Sequence, residues 1–494
     1  MKKINEVVEK VYGKYPEKVL QIGEGNFLRA FADWMIEEAN ERGDYKGSIL
    51  MTTPLSQGRA KELNAQNGLY TVVMRGLEDG KATQKIKKIT SVSKCLNIYE
   101  EFDQFLAAAK NPELEVVISN TTEAGIAYKE GDKLTDTPPS SYPAKLTVFL
   151  YERYKAFNGD NSKGLLMLPC ELIDYNGTML KKYILQYATE WKLEEAFINW
   201  IESAVKFTNT LVDRIVTGYP KDAEELAKIE AELGYKDEML DTCEVFNLWV
   251  IEGKKEWADI FPIHKGKANV LWTDDVKPYK LRKVRILNGG HTATVLAAYL
   301  AGHNIVLEFM NDPIFKNYLD VLFNQEVLPT INLPADEISK FAQDVKDRFA
   351  NPFIKHALLD ISLNSCSKFN ARCMPTLLDY VKIKGDAPAL LSFAMAAFIK
   401  FYQGKMEGDK YMGVRADGTK YQIKDSPEVI AFFEKVWQAG DAASIAKAVL
   451  SEKSFWSDMD LTTVKGLEAK VAFYLNELNT KPVADVVKSL TEGK

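Results

Sequence analysis

Residues 18–38 constrain this chain more than any other stretch. K-V-L-Q-I at 18–22 is an apolar run of strand length. It leads straight into Gly23-Glu24-Gly25-Asn26-Phe27 and then a helical pattern through Glu38. Strand, glycine turn and helix in that order open a βαβ unit. Gly23 allows a tight turn. Gly25 lets a backbone approach a pyrophosphate, which the helix N-terminus then stabilises. Leu28 stands where the third small residue of this fingerprint usually falls, and an ordinary strand-to-helix turn reads the same way.

The alternation repeats downstream. Apolar runs at 48–53, 70–74, 115–119 and 165–168 are separated by helical patterns such as 99–110 and 144–157. This predicts an α/β domain with a largely parallel sheet. Ligands of such sheets lie beyond the carboxyl ends of the strands. Asn120-Thr121-Thr122-Glu123 and Pro169-Cys170-Glu171 fall at such ends, where turn chemistry is the other reading. The candidate cofactor-binding residues are Gly23, Gly25, Asn26, Phe27, Thr122 and Glu123. The second strand ends Met51-Thr52-Thr53-Pro54 with no acid for a ribose, and Arg59 downstream suits a 2′-phosphate. This strand leaves NAD and NADP both open.

A length of 494 residues is too much for one core. Helical patterns continue at 177–191 and 193–204, and after Asp241 the pattern turns almost wholly helical. Apolar residues there recur at three- and four-residue spacing over 338–349, 387–402, 427–439, 442–450 and 467–478. Residues 411–422 read as a loop or small hairpin. The expected architecture is a dinucleotide-binding domain at 1–241, followed by a mainly helical domain at 242–494, with substrate in the cleft between them.

The stretch with the most chemistry is K-V-R-I-L-N-G-G-H at 283–291. On a regular helix Lys283, Asn288 and His291 fall within an arc of about 140°, together with Val284, Leu287 and Val295. Arg282 and Arg285 then point the other way, toward water. An inward amine, amide and imidazole need partners or a use, and a lysine in apolar surroundings is poised for acid/base work. A helix face with ordinary hydrogen-bond partners is the plainer reading. Farther on, Lys355, His356, Lys368 and Arg372 gather positive charge suited to a carboxylate substrate. A surface cluster paired with Asp360 and Asp379 is the alternative. Asn209, just after an apolar run, reads as a buried amide donor or a turn residue.

Several classes are excluded. A net charge of −6 gives no support for nucleic-acid binding. The N-terminus lacks the apolar region of a signal peptide, and the longest nearly apolar run, 387–399, is too short to span a bilayer. Five scattered cysteines fit a reduced cytoplasm. With four histidines and no H-x-x-x-H or C-x-x-C, chemistry without a metal is expected.

Taken together, G-x-G-x-F-x-R-A at 23–30, F-x-N-x-x-V-D-R-I at 207–215 and K-x-x-x-x-N-x-x-H at 283–291 resemble the polyol-specific long-chain dehydrogenases, the mannitol dehydrogenase relatives. The resemblance runs over nearly the whole chain. S-N-T-T-E-A-G-I at 119–126 and P-C-E-L-I-D-x-N-G at 169–177 are similar to the family's ketouronate-reducing branch. Thr217 departs from the family's usual proline or serine, and the acid after the second strand is missing.

The resemblance implies an α/β protein with an N-terminal Rossmann-type domain and a mainly α-helical C-terminal domain. It implies NAD as cofactor, a small sugar-acid substrate and no metal. Lys283 would be the acid/base, Asn209 and Asn288 the amides on the reacting oxygen, and His291 the residue that orients substrate and lysine. Lys368 and Arg372 match positions near the substrate, and we group His356 and Lys355 with them. A reductase of a different ketouronate, fructuronate, or a polyol dehydrogenase of the mannitol type is the alternative, and a non-catalytic dinucleotide-binding sensor is the reading from another class.

Overall fold

Six parallel strands form the sheet to which the opening turn belongs. Across the sheet they are Val92–Asn97, Ser48–Thr53, Glu17–Ile22, Val116–Ser119, Leu166–Pro169 and Lys206–Phe207. In chain order this is 3-2-1-4-5-6, the doubly wound arrangement whose winding reverses beside the first strand. The computed structural model describes residues 1–78, 80–122, 124–438 and 440–492.

The centres of the strands are buried and mostly apolar because both faces of the sheet are covered. Leu20, Ile22, Leu50, Leu96, Val117 and Met167 pack into one core with Phe105, Phe149 and Ile184. Their neighbours Val19, Ile49, Met51, Val116, Ile118 and Leu168 enter another core with Met35, Ile36 and Trp249. Each such side chain contributes roughly 1.5–3 kcal/mol of burial. The expected helices are present as Phe102–Ala108, Tyr142–Ala156, Asn176–Glu190 and Glu195–Ala204. Ser141 caps the second of these, its hydroxyl accepting from the Ala144 N–H at 3.3 Å.

Two further sheets depart from the expected pattern. Lys81–Ile89 is a strand, although its sequence is mostly polar and its residues mostly exposed. It forms one edge of a four-stranded sheet, where Asp241–Glu244 pairs parallel to Tyr70–Glu78. Leu248–Glu252 lies between Asn209–Asp213, antiparallel, and Val270–Thr273, parallel. Residues after Asp241 therefore complete sheets rather than begin a helical domain. The chain divides into Met1–Gly76 with Thr83–Val276, and Leu77–Ala82 with Lys277–Lys494. The main division thus falls at 276/277, later than 241/242.

In the second unit the described residues are mostly helical. Ala389–Phe401 is buried nearly all round and packs against Gly289–Leu300 and Leu467–Thr480. The buried Glu326 carboxylate accepts from the Leu390 and Leu391 N–H groups at 2.8 and 2.9 Å, satisfying donors that a helix start leaves open. The segment at 411–422 belongs to a three-stranded antiparallel sheet of Gly404–Glu407, Lys410–Val414 and Lys420–Gln422. Among the described residues no helix is long and apolar enough to cross a membrane.

Candidate active site

In the first unit, Glu17–Ile22 and Val116–Ser119 are neighbours, so their carboxyl ends bring the glycine turn beside the Asn120–Thr121–Thr122 segment. Gly23 has φ +119°, and a Cβ there would lie 2.8 Å from the Asn120 carbonyl oxygen. Only glycine fits this turn. Gly25 is exposed at the start of Asn26–Arg29, and a Cβ on it would meet nothing within 4 Å. That open backbone, at the point where the sheet reverses its winding, fits a dinucleotide pyrophosphate. Leu28 is buried in the core, so the absent third small residue leaves this open side untouched.

The other candidates around this turn differ in exposure. Asn26 is exposed and its Oδ1 accepts from Arg29 Nη2 at 2.6 Å. Phe27 stacks on Phe31 with ring centroids 4.9 Å apart. Thr122 is exposed with φ +83°. Glu123 lies outside the described residues. The loop is fixed by a residue not singled out from sequence as a binder: buried Glu171 accepts from Ser119 Oγ at 3.0 Å and from Thr121 N and Oγ1 at 3.0 and 2.9 Å. Arg59 Nη2 donates to the Glu238 carbonyl at 2.9 Å.

Asn209 is a buried amide in a strand, not a turn residue. Its Oδ1 accepts from Thr178 N and Oγ1 at 2.9 and 3.1 Å, and its Nδ2 donates to Glu252 Oε1 at 2.8 Å. Glu252 Oε2 in turn accepts from the Val276 N–H at 2.9 Å. The amide is thus held in one orientation, with one Nδ2 hydrogen left over. Thr178 and Glu252 were invisible as a set in the sequence because both lie far from Asn209 along it.

In the second unit, Lys277–Lys283, Val284–Asn288 and Gly289–Leu300 run on as one helix whose middle piece is a π-turn. The Gly289 N–H donates to the Val284 carbonyl, five residues back. A π-turn brings residues five apart nearly into line, so Lys283 and Asn288 stack on one face. A regular helix would separate them by about 140°. Lys283, Asn288 and His291 are each partly buried.

The two arginines do not point to water. Arg282 is buried against Phe341 and Tyr279, its Nη1 2.5 Å from Glu337 Oε1. Arg285 is buried too, with Nη2 2.5 Å from Asp379 Oδ2 and Nη1 donating to the Thr330 carbonyl at 2.7 Å. The regular-helix projection failed because the π-turn resets the angles, and because a paired guanidinium with a flat apolar face is tolerated inside.

The glycines after Asn288 explain how the cations gather. A Cβ on Gly289 would lie 3.2 Å from the Arg372 carbonyl oxygen, and one on Gly290 would lie 2.8 Å from the Phe323 ring. The bareness of Gly289 lets Ser365–Arg372 pack close, with Arg372 Nη1 3.5 Å from Thr292 Oγ1 and Lys368 Nζ donating to the Ile361 carbonyl at 2.9 Å. The His291 ring stacks on Phe349 at 3.8 Å and meets the His356 ring edge-on at 5.5 Å. Burial, then the charges of His356, Arg348, Arg372 and Lys368, holds the His291 imidazole well below its ordinary range. It is therefore neutral near pH 7 and its buried Nδ1 has no partner among the described residues. Burial also lowers Lys368, Arg372 and His356, the last opposed by Asp360. Lys355 is exposed. Among the described residues no group of three or more His, Cys, Asp or Glu side chains is placed to hold a metal.

Comparison with known proteins agrees with this division. The model of the mannitol dehydrogenase Rossmann domain matches residues 17–265, and that of the mannitol dehydrogenase C-terminal domain matches 275–479. The chain belongs to the mannitol dehydrogenase family. Within that family it is similar to altronate oxidoreductases of Escherichia coli O139:H28 and Shigella flexneri, each 46% identical over 97% of both chains. The fold is similar to that of D-sorbitol dehydrogenase in substrate-free form, with a TM-score of 0.78 and 20% identity over 99% of this chain and 100% of that one. It is also similar to Pseudomonas fluorescens mannitol 2-dehydrogenase, solved with NAD and D-mannitol, with a TM-score of 0.67 and 22% identity over the whole of both chains. A family member of this architecture is an oxidoreductase acting on a sugar or sugar acid.

Proposed function

We propose that this protein reduces tagaturonate to altronate, reversibly, with NAD as its cofactor. The observation that carries the substrate class is the cationic ring around His291. Among the described residues Arg372 has one long hydrogen bond, to Thr292, and its remaining donors suit a carboxylate. The near full-length similarity to altronate oxidoreductases supports the same substrate.

When bound at the Gly23–Gly25 turn, the dinucleotide supplies the hydride. Lys283, as an ammonium, gives its proton to the substrate's carbonyl oxygen, and as a neutral amine takes it back in the reverse direction. Asn288, brought onto the same face by the π-turn, donates to that oxygen as charge develops. His291, neutral and stacked on Phe349, orients the sugar hydroxyls. Asn209 of the first unit is assigned the second amide, and Glu252 and Thr178 keep it in orientation.

The test is NADH oxidation by the purified chain with tagaturonate, fructuronate and fructose side by side. Tagaturonate should give the largest kcat/KM, and Lys283→Ala should lower kcat by about a thousandfold or more with the fold intact. Equal kcat/KM for fructose would remove the carboxylate reading, and near-normal turnover by the variant would remove Lys283 from its role. Preference for fructuronate would keep the mechanism and move the substrate.

A further inference from the structure

A cavity of about 400 Å³ opens at the other end of the first unit's parallel sheet. Lys18 is the second residue of Glu17–Ile22, Glu115 precedes Val116–Ser119, and Lys206 begins Lys206–Phe207, so the cavity lies at the amino ends of the strands. The glycine turn lies at their carboxyl ends, about 20 Å away along a six-residue strand. The cavity is therefore a different place from the dinucleotide site.

Its lining is cationic in a protein of net negative charge. Lys18, Lys46, Arg153, Lys163 and Lys206 contribute to it. Three carboxylates also line it, but two are already engaged: Glu115 with Lys18 at 3.2 Å, and Asp44 with Arg42 at 2.7 Å. The third, Asp259, is exposed. Among the described residues Lys163 and Lys206 make only long hydrogen bonds, to the Pro112 carbonyl at 3.3 Å and the Ala204 carbonyl at 3.4 Å.

Two buried groups sharpen the picture. Arg153 is 1% exposed and spends its donors on the carbonyls of Lys163, Ala109, Asn111 and Leu114, with no carboxylate paired to it among the described residues. A buried guanidinium without a counter-ion is costly, and burial lowers its pKa to about 10. Tyr45 is 4% exposed; its hydroxyl makes no hydrogen bond of good geometry among the described residues, and burial with the nearby Glu115 carboxylate holds its pKa well above the ordinary range. It is a neutral donor in a cationic cavity, and lysines are suited to phosphate as mobile point charges.

We propose that this cavity binds a phosphate or pyrophosphate group, either as the free anion or as the ester of a small metabolite. The chain's own residues supply the Lys163, Lys206 and Lys46 ammoniums and the Tyr45 hydroxyl as donors. Arg153 supplies charge from behind them.

The test is equilibrium dialysis of the full chain against labelled inorganic pyrophosphate and, separately, glycerol phosphate, with saturating NAD present to block the glycine turn. Binding of at least one probe should persist with NAD bound, and the tighter of the two names the source. It should weaken about tenfold or more in the Lys163→Gln/Lys206→Gln variant and about threefold in Lys46→Gln, whose side chain is exposed. Turnover without added anion should be unchanged in these variants, since none touches the reacting groups. Displacement of the anion by NAD, affinities unchanged in both variants, or no binding of either probe up to about 10 mM would each overturn the proposal.

Discussion

Arg372 shows how much one side chain decides. Its guanidinium lies half-sunk beside Thr292 and close enough to His291 to depress that imidazole. Replacing it with Ala should raise KM for a ketouronate by about tenfold or more and leave kcat/KM for an uncharged ketose nearly unchanged, measured by steady-state kinetics on both substrates. Equal losses on the two substrates would mean that Arg372 supports the fold and does not read the carboxylate. At this scale the sequence was informative where chemistry is carried by spacing. Lys283, Asn288 and His291 could be picked out together because one helix carries them. Glu252 and Thr178 could not, since their contact with Asn209 is made by strand pairing and helix placement across 43 and 31 residues. Arg282 and Arg285 misled for a related reason: the acids that draw them inward, Glu337 and Asp379, come from distant helices.

At the scale of the element, the π-turn at Val284–Asn288 is the feature that aligns Lys283 with Asn288. No local composition announces it, and a regular 3.6-residue projection cannot contain it. Inserting one alanine between Ile286 and Leu287 should swing Lys283 about 100° away from Asn288 and His291. Turnover should then fall by about a thousandfold while circular dichroism keeps its helical signal. Turnover within a few-fold of the parent would show that the wide turn is incidental. Glu17–Ile22, Ser48–Thr53, Val116–Ser119 and Leu166–Pro169 were legible because their buried centres read as apolar runs; Val92–Asn97, half of it polar, and the two-residue Lys206–Phe207 were not. Lys81–Ile89 was hidden because an edge strand exposed to water is held by its ladder, and its side chains carry no pattern.

For the whole molecule, the two-part organisation was readable but its seam was not. Strands after Asp241 pair back to Tyr70–Glu78 and Asn209–Asp213, and such long-range pairing leaves no local mark. The same first unit sets a global pH dependence. Asp33 is wholly buried, with its Oδ2 accepting from Tyr70 Oη at 2.5 Å, and burial raises its pKa from 3.8 to about 7. The native state therefore holds this proton more tightly than the unfolded chain does. The resulting stability is fully present below the unfolded pKa and is lost as pH rises through about 7. Denaturant unfolding from about pH 5 to about pH 8 should show Asp33→Asn losing less stability than the parent, by on the order of 1–2 kcal/mol. Parallel curves for the two proteins would show that Asp33 does not carry this dependence. Asp241, also raised to about 7 by burial against the pull of Arg29, adds a dependence of the same sign.

The strand order has a consequence for how the protein is made. Glu17–Ile22 is first in the chain yet central in the sheet, between Ser48–Thr53 and Val116–Ser119. During vectorial synthesis at about 5–20 residues per second, its second edge stays unpaired for roughly 5–20 s until Ser119 has been made. Throughout that interval a sticky apolar ribbon leaves the ribosome with one side open. The nascent chain is therefore most exposed to misassociation before Lys283 has even been translated.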